Sequence, residues 1–449
     1  MLRYFFHYYM KQVKMANNLH ILILAAGKGT RMNSDTPKVM HTLGGEPMID
    51  HVIKKAKMLK PFKISIMINK SLSGLKKTYP DLQMLLQEPQ LGTGHAVQIF
   101  QKKNKLKNSK LIVLYGDNPL IDFYDLKNMN EQLAKNDVVI MGFKPKINTG
   151  YGIVVEKKGK VSEIVEFKDA SAIQKKIKTC NSGIMAFSSK ALQLVTQIKN
   201  NNAKKEFYLT DIVKLSKKYN HKIKLINAKD AKTALGINDI NELGIAETIM
   251  QNQLRKKAMK NGVQMIAPET VFLSKDTTFG KNVKIEPYVV IASKVKIGND
   301  VVIRSFSHIE GAVIKNKVSI GPYARIRSGT VLENNSKIGN FVETKNSTIN
   351  KNSKINHLSY VGDATIEEDV NIGAGTITCN YDGVKKSKTL IKKGSFVGSN
   401  SSLVAPVTVG KNSIIGAGSV ITKDVPDNTL ALTRAKQKKV KLNKKKQKK

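Results

Sequence analysis

The chain has 449 residues, with 76 Lys and Arg against 34 Asp and Glu, a formal net charge of +42. At roughly 100–200 residues per domain, this length predicts two or three domains with cores of their own, and a hydrophobic content of 41% excludes wholesale disorder. Two cysteines, Cys180 and Cys379, exclude a disulfide framework, and no apolar run nears the roughly 20 residues of a membrane span, so a cytoplasmic protein without a membrane partner is expected.

Residues 1–17 match no pattern and read as an N-terminal extension. From residue 18 to about 246, strand-like runs alternate with helical ones. Strands are predicted at His20–Leu24, Ile64–Asn69, Lys110–Leu114, Val138–Phe143 and Gly152–Val155, and helices at Pro47–Met58 and Gly94–Gln101. Such alternation predicts an α/β, Rossmann-like domain whose ligands lie at the carboxyl ends of largely parallel strands. Asn241–Asn261 has helical spacing with Gly262 as a stop, which makes 247–267 a linker helix.

The texture changes at about Pro268 to a period of six. Aliphatic residues recur at Ile285, Ile291, Ile297, Ile303 and Ile309, then at Ile314, Ile320, Ile326, Leu332 and Ile338, and again from Ile349 to Ile421. A small or β-branched residue sits four positions after most of them, as at Val283, Val289, Val295 and Val301. Each hexapeptide is one short strand plus a corner, and three make a triangular coil, so 268–437 should be a parallel β-helix with the aliphatics inside. The break at Cys379–Lys388 should protrude as a loop. The lysine-dense end, 438–449, reads as a disordered basic tail. Because the other lysines are scattered, the surplus reads as a solvated tail plus a drift toward Lys and Asn rather than a nucleic-acid footprint, and anionic small substrates fit a basic protein equally well.

Strand His20–Leu24 runs into Leu24-Ala25-Ala26-Gly27-Lys28-Gly29-Thr30-Arg31-Met32, followed by Pro37-Lys38. Small residues let backbone approach phosphate, while Lys28, Arg31 and Lys38 bring fixed positive charge, an arrangement suited to a triphosphate. The spacing fits neither a P-loop nor a dinucleotide fingerprint. Asp117, in Tyr115-Gly116-Asp117 after an apolar strand, puts a carboxylate at the same edge of the sheet. This glycine loop resembles that of the sugar-1-phosphate nucleotidyltransferases. With the hexapeptide array behind it, the chain from residue 18 to about 437 is similar to the GlmU family, which joins an N-acetylglucosamine-1-phosphate uridylyltransferase to a glucosamine-1-phosphate N-acetyltransferase.

The resemblance implies a bifunctional enzyme of UDP-N-acetylglucosamine synthesis, feeding peptidoglycan and lipopolysaccharide. It carries UTP and sugar contacts onto Leu24, Ala25, Ala26, Gly27, Lys38, Gln87, Gly92, Thr93, Tyr115, Gly116, Asp117, Gly152, Glu166, Asn181 and Asn238, within motifs that include Thr149-Gly150-Tyr151-Gly152. Asp117 and Asn238 match ligands of Mg²⁺, and Arg31 and Lys38 match groups that neutralise the triphosphate. Ile153 stands where relatives often carry Arg, and Ser182 where Thr is usual.

In the array, His357 lies between inward aliphatics and should point outward. Arg327 and Lys345 are one coil apart, and Lys345 is nearly one coil from His357, so the three should stack into one cleft. The resemblance makes His357 the proton acceptor, Arg327, Lys345, Tyr360 and Asn371 the sugar-phosphate ligands, and Ala374, Asn380, Tyr381, Ser399, Ala417 and Arg434 the acetyl-CoA contacts. It also implies a left-handed β-helix and a homotrimer whose acetyltransferase sites lie between subunits. Two rival expectations are a nucleotidyltransferase with a purely structural β-helix and a non-enzymatic basic scaffold.

Overall fold

The computed structural model describes residues 18–145, 150–202 and 204–441; residues 1–17, Thr149 and most of the basic tail lie outside them. The chain divides between Met250 and Gln251 into two units. No described helix is long and apolar enough to cross a membrane.

The first unit is built on a nine-stranded sheet, beside a two-residue hairpin pair at Thr42–Leu43 and Glu46–Pro47: β1 (Leu19–Leu24), β2 (Lys63–Ile68), β3 (Gln83–Leu86), β4 (Lys110–Tyr115), β5 (Val138–Phe143), β6 (Ile153–Lys157), β7 (Lys160–Val165), β8 (Cys180–Phe187) and β9 (Ile223–Asn227). Seven of them lie in the order β9-β5-β8-β4-β1-β2-β3, and β6 joins β8 and carries β7. β1 is central because it can be buried on both faces. Ile21 and Ile23 share one core with Ile49, Val52 and Ile53 of helix α1 (Met48–Met58), and Leu22 packs on the other side with Ala96, Val97 and Phe100 of α2 (Thr93–Asn104).

Four strands escape the sequence pattern: β3, β7, β8 and β9. In β8 the sequence Asn181-Ser182-Gly183 interrupts the apolar run, and the register with β5 slips between Asn181 and Met185 around a left-handed Gly183, φ +88°. β8 runs antiparallel to both β4 and β5, so the sheet is mixed rather than purely parallel. The predicted connecting helix is α3 (Ile240–Lys260), which ends at a left-handed Gly262, φ +92°.

The second unit is a three-sided prism. Short parallel strands between Gln264 and Ala431 form sheets of ten, nine and eight strands, each strand pairing with the one a full coil later. Ile285, Ile303, Ile320, Ile338, Ile355 and Ile372 form one inward column in continuous register, none more than 1% exposed. Each such side chain contributes roughly 1.5–3 kcal/mol of burial. The small residues named from the period fill the narrow corners, with Val283, Val289, Val295 and Val301 all fully buried.

Most corners place a residue in the left-handed region. One edge carries Asn282, Asp300, Lys317, Asn335, Asn352 and Asp369; Asn and Asp tolerate positive φ, and Asn282 bonds to Asp300, Asn335 to Asn352 and Asn352 to Asp369 across successive coils. Another edge places Tyr288, Phe306, Tyr323 and Phe341 there, where bulky side chains are rare. Their rings stack at 4.8–5.1 Å, an attraction that offsets the backbone strain.

Candidate functional site

In the α/β unit the site grows from the carboxyl ends of β1 and β4. The two strands pair in parallel with Leu24 opposite Tyr115, so Ala25 and Gly116 leave the sheet side by side. The Gly116 N–H donates to the Leu24 carbonyl at 2.9 Å. Ala25 and Ala26 are buried, whereas a Cβ on Gly27 would meet nothing within 4 Å, which leaves backbone accessible at the start of the loop.

Four predicted polar side chains converge there from distant positions. Lys38 Nζ is ion-paired with Asp117 Oδ2 and donates at 3.1 Å to Asn238 Oδ1. Arg31 Nη2 donates to the same oxygen at 3.0 Å. The Ile237 N–H donates to the Asp117 carbonyl at 2.9 Å, and the Asn238 N–H donates to Glu242 of α3 at 2.6 Å, which fixes where Asn238 enters. A carboxylate and an amide oxygen, both gripped by one ammonium, form a hard-oxygen pair facing positive charge. Mg²⁺-type cations are held by one or two such groups together with substrate phosphates, so this donor set fits a divalent metal.

The remaining predicted nucleotide and sugar contacts line the same end of the sheet. Gln87 is buried and donates to the Gly92 carbonyl at 2.9 Å. Gly92 has φ +97°, and a Cβ there would strike the Phe207 carbonyl, so only glycine fits. Thr93 opens α2 and hydrogen-bonds the Tyr115 hydroxyl; burial raises the Tyr115 phenol well above its ordinary value. The Asn181 N–H donates to the Gly152 carbonyl at 2.7 Å, and Glu166 Oε1 comes within 3.7 Å of where a Gly152 Cβ would be. Burial raises the Glu166 carboxyl, opposed by Lys204 and reinforced by Asp169, Asp211 and Glu206.

On the prism, register does the assembling. Arg325, Glu343 and Tyr360 occupy one outward column, and two residues along lie Arg327, Lys345 and Gly362. Glu343 accepts from Arg327 Nη1 at 2.8 Å and pairs with Arg325 at 3.6 Å. The position after Lys345 in this column is Gly362, whose missing side chain leaves room for the Tyr360 ring and for Asn380, which is hydrogen-bonded to Asp363. Lys386, on the protruding loop, was not anticipated from sequence. It lies against Lys345 and, with Arg327, lowers the Lys345 ammonium below its ordinary value. Three cations crowded together in this way create a demand for an anion.

His357 is exposed, as its place between inward residues requires, but it does not stack with Arg327 and Lys345 as the spacing suggested: twelve residues are two thirds of a coil, which puts it on the neighbouring sheet of the prism. Two residues beyond the inward Ile372, Val397 and Ile415 come Ala374, Ser399 and Ala417, which continue the His357 column through three further coils. Arg434 closes this strip, with Nη2 at 3.5 Å from a Cβ position on Gly416. Asn371 faces outward one coil after Lys354, and Tyr381 is exposed with its hydroxyl donating to the Gly383 carbonyl.

Residues 21–175 match the MobA-like NTP transferase domain, and 276–311, 311–346 and 388–423 match the bacterial transferase hexapeptide of six repeats. A protein of Zymomonas mobilis named bifunctional protein GlmU is 45% identical over 427 residues, covering 93% of this chain and 94% of its own. The chain belongs to the GlmU family. GlmU proteins of Bartonella bacilliformis, 42% identical over 94% of this chain and 95% of theirs, and of Thermosipho africanus, 45% identical over 93% and 95%, agree along the same length. As a GlmU protein the chain is a bifunctional transferase, a uridylyltransferase joined to an acetyltransferase on a left-handed β-helix, acting on small sugar-phosphate and nucleotide substrates with a divalent metal.

Proposed function

We propose that the prism transfers the acetyl group of acetyl-CoA to glucosamine-1-phosphate, and that the α/β unit then joins the product to UTP with Mg²⁺, releasing pyrophosphate and UDP-N-acetylglucosamine. The observation that carries the uridylyl half is the convergence of Arg31, Lys38, Asp117 and Asn238 beside the glycine loop. Nucleophile and nucleotide are both anions, so the barrier is mainly charge repulsion, and no protein nucleophile is needed. Asp117 and Asn238 would hold Mg²⁺, which supplies charge neutralisation to the reacting phosphates. Arg31 and Lys38 neutralise the leaving pyrophosphate. Gln87, Gly92 and Thr93 hold the uracil, and Glu166, Asn181 and Gly152 hold the sugar and ribose hydroxyls.

For the acetyl half, Arg327, Lys345 and Lys386 seat the sugar phosphate, with Tyr360 and Asn371 on the sugar. His357 accepts one proton from the amine as its nitrogen bonds to the thioester carbonyl carbon. The carbon–sulfur bond then breaks, and the imidazolium returns that proton to the departing thiolate. The small-residue strip Ala374, Ser399, Ala417 and the cation Arg434 receive acetyl-CoA, together with Asn380 and Tyr381. A cytoplasmic homotrimer, in which a second subunit completes the acyl site, is part of this reading.

The test is incubation of the purified protein with glucosamine-1-phosphate, acetyl-CoA, UTP and Mg²⁺, followed by mass analysis. UDP-N-acetylglucosamine with free thiol and pyrophosphate is the expected outcome. Uridylyl transfer from supplied N-acetylglucosamine-1-phosphate without any acetylation would leave the prism a structural element and overturn the second half.

A further inference from the structure

We infer that Asn340 is a positioning residue of the acetyl-transfer centre, holding the His357 ring so that Nδ1 carries the proton and Nε2 is free for the amine. The inference deepens the reading of His357 as the base and rests on it. Most coil strands in the prism are two residues long, but Lys337–Asn340 and Lys354–His357 each run to four. Their register runs from Lys337 opposite Lys354, through the inward pair Ile338 and Ile355, to Asn340 and His357, which lie opposite each other. The ladder is therefore lengthened at the coil that carries the histidine.

Gly339 makes the extension possible. A Cβ at this position would run into the Asn356 carbonyl, so any other residue would push the two coils apart where Asn340 must reach His357. The Leu358 N–H donates to the Asn340 carbonyl at 3.0 Å, and the Gly375 N–H to the His357 carbonyl at 3.4 Å, which ties the two coils to each other and to the one that follows.

His357 Nδ1 and Asn340 Oδ1 are 2.5 Å apart. An amide oxygen only accepts, so Nδ1 must be the protonated nitrogen and the lone pair sits on Nε2. A histidine free to choose its tautomer, or to turn about its side-chain bonds, would present the wrong nitrogen for part of the time. An orienting acceptor on the far ring nitrogen removes both losses.

Two substitutions test this in the full-length protein. Asn340→Leu keeps the γ-branched shape, at somewhat larger volume, and removes the acceptor, while the isosteric Asn340→Asp keeps an oxygen that, ionised, can only accept. Asn340→Leu is expected to lower kcat for acetyl transfer by roughly tenfold or more, with KM for acetyl-CoA and for the amino sugar within about twofold, and Asn340→Asp should restore most of kcat. Full kcat in Asn340→Leu would overturn the inference, as would failure of Asn340→Asp to exceed Asn340→Leu. A parallel rise in KM would mark a packing role and overturn it too. His357→Gln separates the two levels. If acetylation survives that change the base reading itself fails; if it is lost while Asn340→Leu is fully active, only the role of Asn340 fails.

Discussion

The two units build their sites by opposite means. In the α/β unit the side chains that meet around Lys38 come from positions 31, 38, 117 and 238, and only the three-dimensional path of the sheet brings them together. In the prism, Arg327 and Lys345 are 18 residues apart in sequence and Asn340 and His357 are 17, and these are the separations of one coil. A doubly wound sheet gathers residues at its carboxyl edge whatever their spacing, whereas a solenoid converts spacing directly into proximity. A site of the first kind depends on topology, and one of the second kind on register.

The sharpest way to break this comparison is to show that the sites are not separate. Asp117→Ala removes the one carboxylate of the metal-fitting pair and leaves the Lys38 ammonium without its ion-pair partner. Pyrophosphate release should fall on the order of 10³-fold, with thiol release from acetyl-CoA unchanged. His357→Ala should do the reverse, lowering thiol release roughly 10²-fold or more and sparing pyrophosphate release. Loss of both activities from either substitution would mean that the two units do not work independently.

The same contrast governs what could be read from the sequence. The hexapeptide period located the inward aliphatics and predicted that His357 would face out, because a period of six fixes both coil and direction. It also contained Asn340, one coil from His357, which went unnoticed because an asparagine at a coil end looks like corner chemistry. Lys386 carried no such signal, since it lies in the break where the period stops and only the folded loop returns it to Lys345. In the α/β unit the glycine loop and Asp117 were legible from their strands, but β8 was hidden by its own bulge at Asn181-Ser182-Gly183. The pairing of Asn238 with Lys38 and Arg31 follows from no spacing at all; family resemblance supplied it.

Register can be challenged without touching a site. Ile303 is fully buried in the prism, in line with Ile285 and Ile320. Ile303→Ala leaves a cavity that neighbouring coils cannot close without losing their own pairing, and should lower the stability of this unit by about 2–5 kcal/mol. Urea unfolding followed by loss of acetyl transfer measures it, with uridylyl transfer as an internal reference. Equal loss of both activities at the same urea concentration would show that the two units unfold as one.

The mildest effect concerns charge in the α/β unit. Burial raises the Glu166 carboxyl above the ordinary glutamate value, and neighbouring acids add to the shift. Protonation is therefore favoured by the fold. The stabilising contribution is complete below the unfolded-chain value and is lost as pH rises through the raised folded value. Binding runs the other way, because a carboxylate accepts hydroxyl hydrogen bonds more strongly than a neutral acid. KM for N-acetylglucosamine-1-phosphate should thus rise as pH falls, beginning at a higher pH than an exposed glutamate would give. Glu166→Gln should raise KM roughly two- to tenfold at neutral pH and flatten that acid limb. The sugar ligands proposed for the prism include no carboxylate and lie in the other unit, so acetyl transfer measured on the same preparation should keep its pH profile in the variant. A change in both profiles would contradict the separation of the two sites.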